Sequence, residues 1–126
     1  MLSKVLLLGI GGFIGSNLRY WISNWSMDYF GTYLPYGTLM VNTIGSFILG
    51  FLMIYGTEVA NLDPRMRLFI GTGMMGALTT FSTFSVETFG YMRQSNYLLA
   101  FLNIGLNVAV TLCAVWLGFI IAKSLA

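Results

Sequence analysis

The sequence predicts an all-α membrane protein in which four transmembrane helices cross the bilayer and the third is broken near its middle. Three observations predict it. Of 126 residues, 57% are hydrophobic and only 8% charged, whereas a soluble domain carries about a quarter charged residues. Four apolar runs, at 3–23, 36–56, 68–91 and 97–122, each approach the length that spans a bilayer as helix, roughly 20 residues. The third run holds three glycines and then five hydroxyl residues in seven positions, a composition that supports an unbroken helix badly. A chain this short forms one domain, 1–126.

The same composition excludes several functions. A net charge of +2 is too small to attract nucleic acid. With one cysteine and no histidine the chain has no structural zinc site, no internal disulfide and no Ser-His or Cys-His nucleophile pair. The membrane interior offers Cys113 and hydroxyls without a base for either, so an enzyme is not expected.

The first element begins at Lys4 and runs through Gly15, Ser16 and Asn17 to Arg19 without an Ala-x-Ala cleavage site, and is read as a retained helix rather than a secretory signal. Its glycines, Gly9, Gly11, Gly12 and Gly15, suit close packing in the small-xxx-small manner. Residues 24–35 separate it from the second element, where Asn42 and Ser46 lie four apart with Gly50 on the same stripe, so that small-residue packing and a pore role can coexist. Residues 58–67, including Asp63-Pro64, make the next separator.

In the third element a break is expected between Gly76 and Thr80. Glycine is a poor helix former, and the hydroxyls of Ser and Thr compete for backbone groups. A break frees carbonyls, and in transporters unwound carbonyls often coordinate sodium; the alternative is a flexed helix whose glycines permit close packing. Gly71-x-Gly73-x-x-Gly76 matches the dinucleotide-binding pattern, but the strand and soluble parallel sheet that the pattern requires are absent from the reading. Phe81 and Phe84, three apart and nearly on one helical face, sit among hydroxyls. The positive edge of an aromatic ring can stabilise a small anion. Neutral donors bind a partly dehydrated anion firmly enough to admit it and weakly enough to release it.

Arg93-Gln94-Ser95-Asn96 leads to the fourth element, where Asn103, Asn107 and Thr111 recur at four-residue spacing, continued loosely by Gly118. That face is either helix-to-helix glue or the lining of a polar path. Four crossings put Lys4, Arg65, Arg67 and Lys123 on one side and Arg19 and Arg93 on the other, a weak positive-inside signal. Either a shortage of charges or an ability to insert both ways explains it.

Three motifs in order now identify a family. Gly11-Gly12-x-x-Gly15-x-x-x-Arg19-Tyr20, Gly37-Thr38-Leu39-x-Val41-Asn42-x-x-Gly45-Ser46-Phe47 and Gly73-x-x-Gly76-x-x-Thr79-Thr80-Phe81-Ser82-Thr83-Phe84-Ser85 together resemble the bacterial fluoride channels, called Fluc or CrcB. The resemblance implies a dual-topology homodimer of antiparallel subunits in the bacterial plasma (inner) membrane, each subunit multi-pass, with two pores that conduct fluoride passively outward. It implies that Phe81 and Phe84 are pore phenylalanines and Asn42 a pore asparagine. Thr80, Ser82 and Thr83 resemble the hydroxyl residues beside the rings, and Asn107 and Thr111 fall where the family has a polar track. The family holds a structural sodium ion at the dimer interface through backbone carbonyls that correspond to Gly76 and Thr79. Arg19 resembles a vestibule arginine and could pair with Glu87; near Asn103 some members have a tyrosine. Two rivals remain. A small proton-coupled multidrug exporter needs a carboxylate deep in the first helix, and residues 3–23 hold none. A structural or assembly subunit of a larger membrane complex would use the polar stripes for docking.

Overall fold

Helix breakers and caps divide the chain. In the computed structural model, which describes residues 1–126, α1 runs Leu2–Phe30 and α2 Tyr36–Ile54, the latter prolonged by a wide π-helical turn at Tyr55–Val59. The third segment joins α3 (Pro64–Arg67), a π-helical stretch (Leu68–Met75) and α4 (Gly76–Leu78), then breaks and resumes as α5 (Ser82–Arg93). The last helix, α6, spans Tyr97–Ser124. Three continuous helices, Leu2–Phe30, Tyr36–Val59 and Tyr97–Ser124, are long and apolar enough to cross a membrane. The fourth leg is the discontinuous third segment.

The ends follow local chemistry. α1 outruns the expected stop near residue 23 because no glycine or proline interrupts 24–30; it stops at Gly31, whose φ of 81° lies in the left-handed region glycine tolerates. Its last turns carry Trp25 stacked on Tyr29 at 5.5 Å and Phe30 edge-on to Trp25 at 5.8 Å, an aromatic cluster suited to the membrane interface. Asp28, the one carboxylate of α1, is exposed at this end and not buried mid-helix as a proton-coupled exporter would require. Asp63 starts α3 by accepting the Arg65 N–H at 2.7 Å, with Pro64 in the first turn. Asn96 caps α6 through the Leu99 N–H at 3.4 Å.

Packing divides the third segment between two neighbours. Its first half lies along α1, while α5 lies along α6, and α2 bridges the two sides by packing on both α1 and α6. Gly11 and Gly15 are buried where α1 meets this first half, and a Cβ on Gly15 would collide with the Met74 carbonyl. Gly9 and Gly12 have open space, so close packing uses only half of the predicted glycines. The dinucleotide-like glycines lie in the π-helical stretch and α4, with no strand before them. A small core of Val41, Met75 and Leu78 sits beneath the break. Only 22 of 126 residues are buried. The apolar surface that remains, including Phe13, Phe101 and Leu112, is far larger than a monomer keeps in water.

Candidate functional site

Leu78 is the last helical residue before the break, and Thr79 turns extended with ψ of 157°. The break thus falls at the end of the expected 76–80 window, after the glycines instead of among them. What holds it there is a side chain of α2. Asn42 Oδ1 accepts the Thr80 N–H at 2.8 Å, and Asn42 Nδ2 donates to the Thr80 carbonyl at 3.1 Å. One amide therefore satisfies both backbone groups of Thr80, next after the extended Thr79, where each would otherwise be costly in lipid.

A relay of amides continues from Asn42. Its second Nδ2 proton goes to Asn107 Oδ1 at 3.1 Å; Asn107 Nδ2 donates to Asn103 Oδ1 at 3.0 Å; Asn103 Nδ2 donates to Thr88 Oγ1 at 2.9 Å; and the Thr88 hydroxyl donates to the Phe84 carbonyl at 2.8 Å. Thr111 closes the other end by donating to the Asn107 carbonyl at 2.5 Å. The polar stripe of α6 is thus both glue and lining: it ties α6 to α2 and α5, and two of its members face a cavity. Thr80 starts α5, since its hydroxyl oxygen accepts the Thr83 N–H at 3.2 Å while donating to Thr83 Oγ1 at 3.1 Å.

That cavity, of about 290 Å³, is lined by Asn42, Thr79, Thr80, Phe81, Phe84, Asn107 and Thr111, with Ser46, Leu49 and Val108 completing it. None of its ten lining residues is charged. The phenylalanine rings touch, with centroids 5.4 Å apart and planes at 50°. They do not share one helical face: Phe81 precedes α5 and is 78% exposed, whereas Phe84 is inside the helix and 9% exposed. Thr83 instead lines a second cavity of about 440 Å³ beside residues 32–38. Ser82 is exposed and lines neither.

Glu87 and Arg19 are not brought together. The Thr38 hydroxyl donates to Glu87 Oε1 at 2.7 Å, and Glu87 Oε2 is enclosed without a partner. Arg19 is half-buried on α1 and lines none of the four cavities, and Glu87 takes the Thr38 hydroxyl as its partner instead. Thr38 and Thr88 are the site residues that the sequence reading missed. Thr38 lies four before Asn42 and Thr88 four after Phe84, so extending each stripe by one helical repeat finds them.

The break also leaves acceptors. No backbone N–H donates to the carbonyls of Gly76, Ala77, Leu78 or Thr79, the orphans of an interrupted helix carrying its negative end. Gly76 is exposed, so its carbonyl can be approached from outside the chain. Uncharged oxygens of this kind fit a hard monovalent cation; no cluster of His, Cys, Asp or Glu suited to a transition metal is formed.

Residues 6–119 match the family model described as CrcB-like protein, Camphor Resistance (CrcB). The chain is 50% identical over 125 residues to a protein of Pyrococcus abyssi (strain GE5 / Orsay) named fluoride-specific ion channel FluC, covering 97% of this chain and 98% of that one. It is 43% identical over 124 residues to a protein of that name from Sulfurihydrogenibium sp. (strain YO3AOP1), covering 98% and 100%. A third so named, from Campylobacter jejuni, is 47% identical over 123 residues.

Proposed function

Because the chain belongs to the CrcB family, and relatives spanning its whole length are named fluoride-specific channels, we propose that it is a fluoride channel through which the anion leaves the cell passively. The observation that carries this reading is the uncharged cavity at the Asn42-clamped break. A fixed positive charge there would trap a dehydrated anion, whereas ring edges and hydroxyls hold it loosely. The amide protons of Asn42 and Asn107, and the hydroxyl protons of Thr80 and Thr111, are already given to protein acceptors. The donors left for an ion are the ring-edge hydrogens of Phe81 and Phe84 and the hydroxyl of Ser46. Thr80, Ser82 and Thr83 shape the start of α5 beside the rings, and Asn107 and Thr111 form the wall opposite.

The physiology is acid-base chemistry. Neutral hydrogen fluoride enters, ionises in the near-neutral cytoplasm and is trapped as the anion; an inside-negative potential then drives it outward with about 2.3 kcal/mol per 100 mV. No coupled energy source is required.

The working unit on this reading is an antiparallel dimer with two pores in the plasma (inner) membrane. Support comes from the exposure of Phe81 beside the cavity, which calls for a covering surface, and from the small number of basic residues that could set a direction across the membrane. The carbonyls of Gly76 and Thr79, which no backbone N–H occupies, are the groups that would hold a sodium ion between subunits. Such an ion would offset the carbonyl dipoles of two interrupted helices.

The test is fluoride efflux from liposomes that contain only the purified protein, measured beside chloride. Rapid fluoride loss with chloride retained is the expected result. Vesicles that hold fluoride although the protein is folded overturn the reading and favour an assembly subunit.

A further inference from the structure

α2 lines three cavities in succession. Thr38 faces the one beside residues 32–38, Asn42 and Ser46 face the central one, and Gly50, Met53 and Thr57 face another of about 480 Å³ at the opposite end. Leu49 lines both the central cavity and this last one, so the two adjoin there. The end cavity has one charged wall residue, Arg67.

The stem of Arg67 is packed against the chain. The π-helical turn Tyr55–Val59 brings the buried Gly56 under its aliphatic stem, where a Cβ would lie 3.4 Å from Arg67 Cδ and 3.5 Å from Cγ. Its Nε is enclosed and meets no hydrogen-bond partner. Thr57, the one other cavity-lining residue with a polar side chain, has its hydroxyl donated to the Met53 and Ile54 carbonyls at 2.7 and 3.3 Å. Arg67 itself is half-buried, so its guanidinium presents an enclosed, unpaired Nε on one side and an accessible charge on the other, and an anion in the cavity would complete it.

We propose that Arg67 makes this cavity an anion-collecting mouth of the conduction path, gathering the permeating halide one cavity away from the uncharged centre. The proposal rests on the fluoride-channel reading. A charge at the mouth raises the local anion concentration, whereas the same charge among Asn42, Phe81 and Phe84 would hold the ion too firmly. The phosphate of a lipid headgroup has the same chemistry as a ligand, so the experiment must separate the two sources.

Fluoride efflux is compared for the parent, Arg67→Gln and Arg67→Lys in liposomes of purely zwitterionic lipid, at low and high fluoride, with ionic strength set by an impermeant gluconate salt. Arg67→Gln is expected to lose roughly three- to tenfold in rate at low fluoride and little at high fluoride, with Arg67→Lys close to the parent. The parent's low-fluoride rate should also fall with added salt, and that dependence should shrink in Arg67→Gln. An unchanged low-fluoride rate in a well-folded Arg67→Gln overturns the proposal and leaves the channel reading standing. A parent rate indifferent to salt overturns it without recourse to any variant. A defect of equal size at low and high fluoride assigns the guanidinium to a lipid phosphate, which zwitterionic lipid also carries, and overturns it too. Parent vesicles that never leak fluoride overturn the channel reading itself.

Discussion

Removing the Asn42 amide strips the Thr80 N–H and carbonyl of their partners and leaves Asn107 Oδ1 unmatched. An unsatisfied buried polar group costs about 1–3 kcal/mol. Asn42→Ala is therefore expected to lower the melting temperature in detergent and to abolish most fluoride flux together; a variant that melts like the parent would show that the break does not depend on this clamp. The rings allow a cleaner separation of stability from flux. Phe81 is 78% exposed, so Phe81→Ile removes a ring edge with little loss of packing inside the subunit, whereas Phe84→Ile also disturbs a buried position. Both should cut flux at least tenfold, and Phe81→Ile should leave the melting temperature nearly unchanged. Ser46 makes the same point on a smaller scale: it lines the cavity with an uncommitted hydroxyl, and Ser46→Ala is expected to slow efflux several-fold, while an unaltered rate would leave the rings alone to meet the ion.

The discontinuity between α4 and α5 is a property of elements and their contacts. Gly45 of α2 faces the Thr79 methyl so closely that a Cβ would strike it. Gly45→Val should force Thr79 away from the Asn42 clamp and reduce flux without changing the protein's elution on size-exclusion chromatography. The existence of the break was legible in the sequence, because glycines followed by hydroxyl residues weaken a helix by local propensity alone. Its exact register was not, because Asn42, distant in sequence, clamps Thr80 and so sets the departure at Thr79 and not at Gly76. The end of α1 was misjudged for the converse reason: Asn24 and Ser26 look like turn residues, yet without a glycine or proline before Gly31 the helix continues into its aromatic cluster. The stripe of Asn103, Asn107 and Thr111 was visible from its spacing, and Thr38 and Thr88 extend the same logic. The π-helical turns were invisible, since they arise where Gly56 and Gly73 let neighbouring segments approach, contacts that no local pattern encodes. The orphan carbonyls of residues 76–79 lead to a further expectation at this scale. Replacing sodium by a bulky organic cation should lower the melting temperature, because a ligand at 100 times its dissociation constant stabilises by about 2.7 kcal/mol. An identical melting temperature in both salts would remove sodium from the account.

At the scale of the whole molecule, orientation is the property least constrained by the chain. The four-crossing order assigns Lys4, Arg65, Arg67 and Lys123 to one side and Arg93 to the other, with Arg19 near the middle of α1, so the basic residues that set direction are few. A bias resting on so few charges specifies direction weakly, and an antiparallel pair requires both directions from one sequence. The balance should be easy to tip. Two lysines added to the exposed 31–33 turn, or two added beside Lys123, should bias insertion in opposite senses without touching any cavity-lining residue of the central site. Each variant expressed alone is then expected to give little fluoride efflux, since partners of the opposite orientation are scarce, and co-expression of the two should restore it. If each biased variant conducts fully by itself, while accessibility labelling shows a single orientation, the subunits do not work as an antiparallel pair. In that case the exposed Phe81 must be covered by a parallel copy or by lipid.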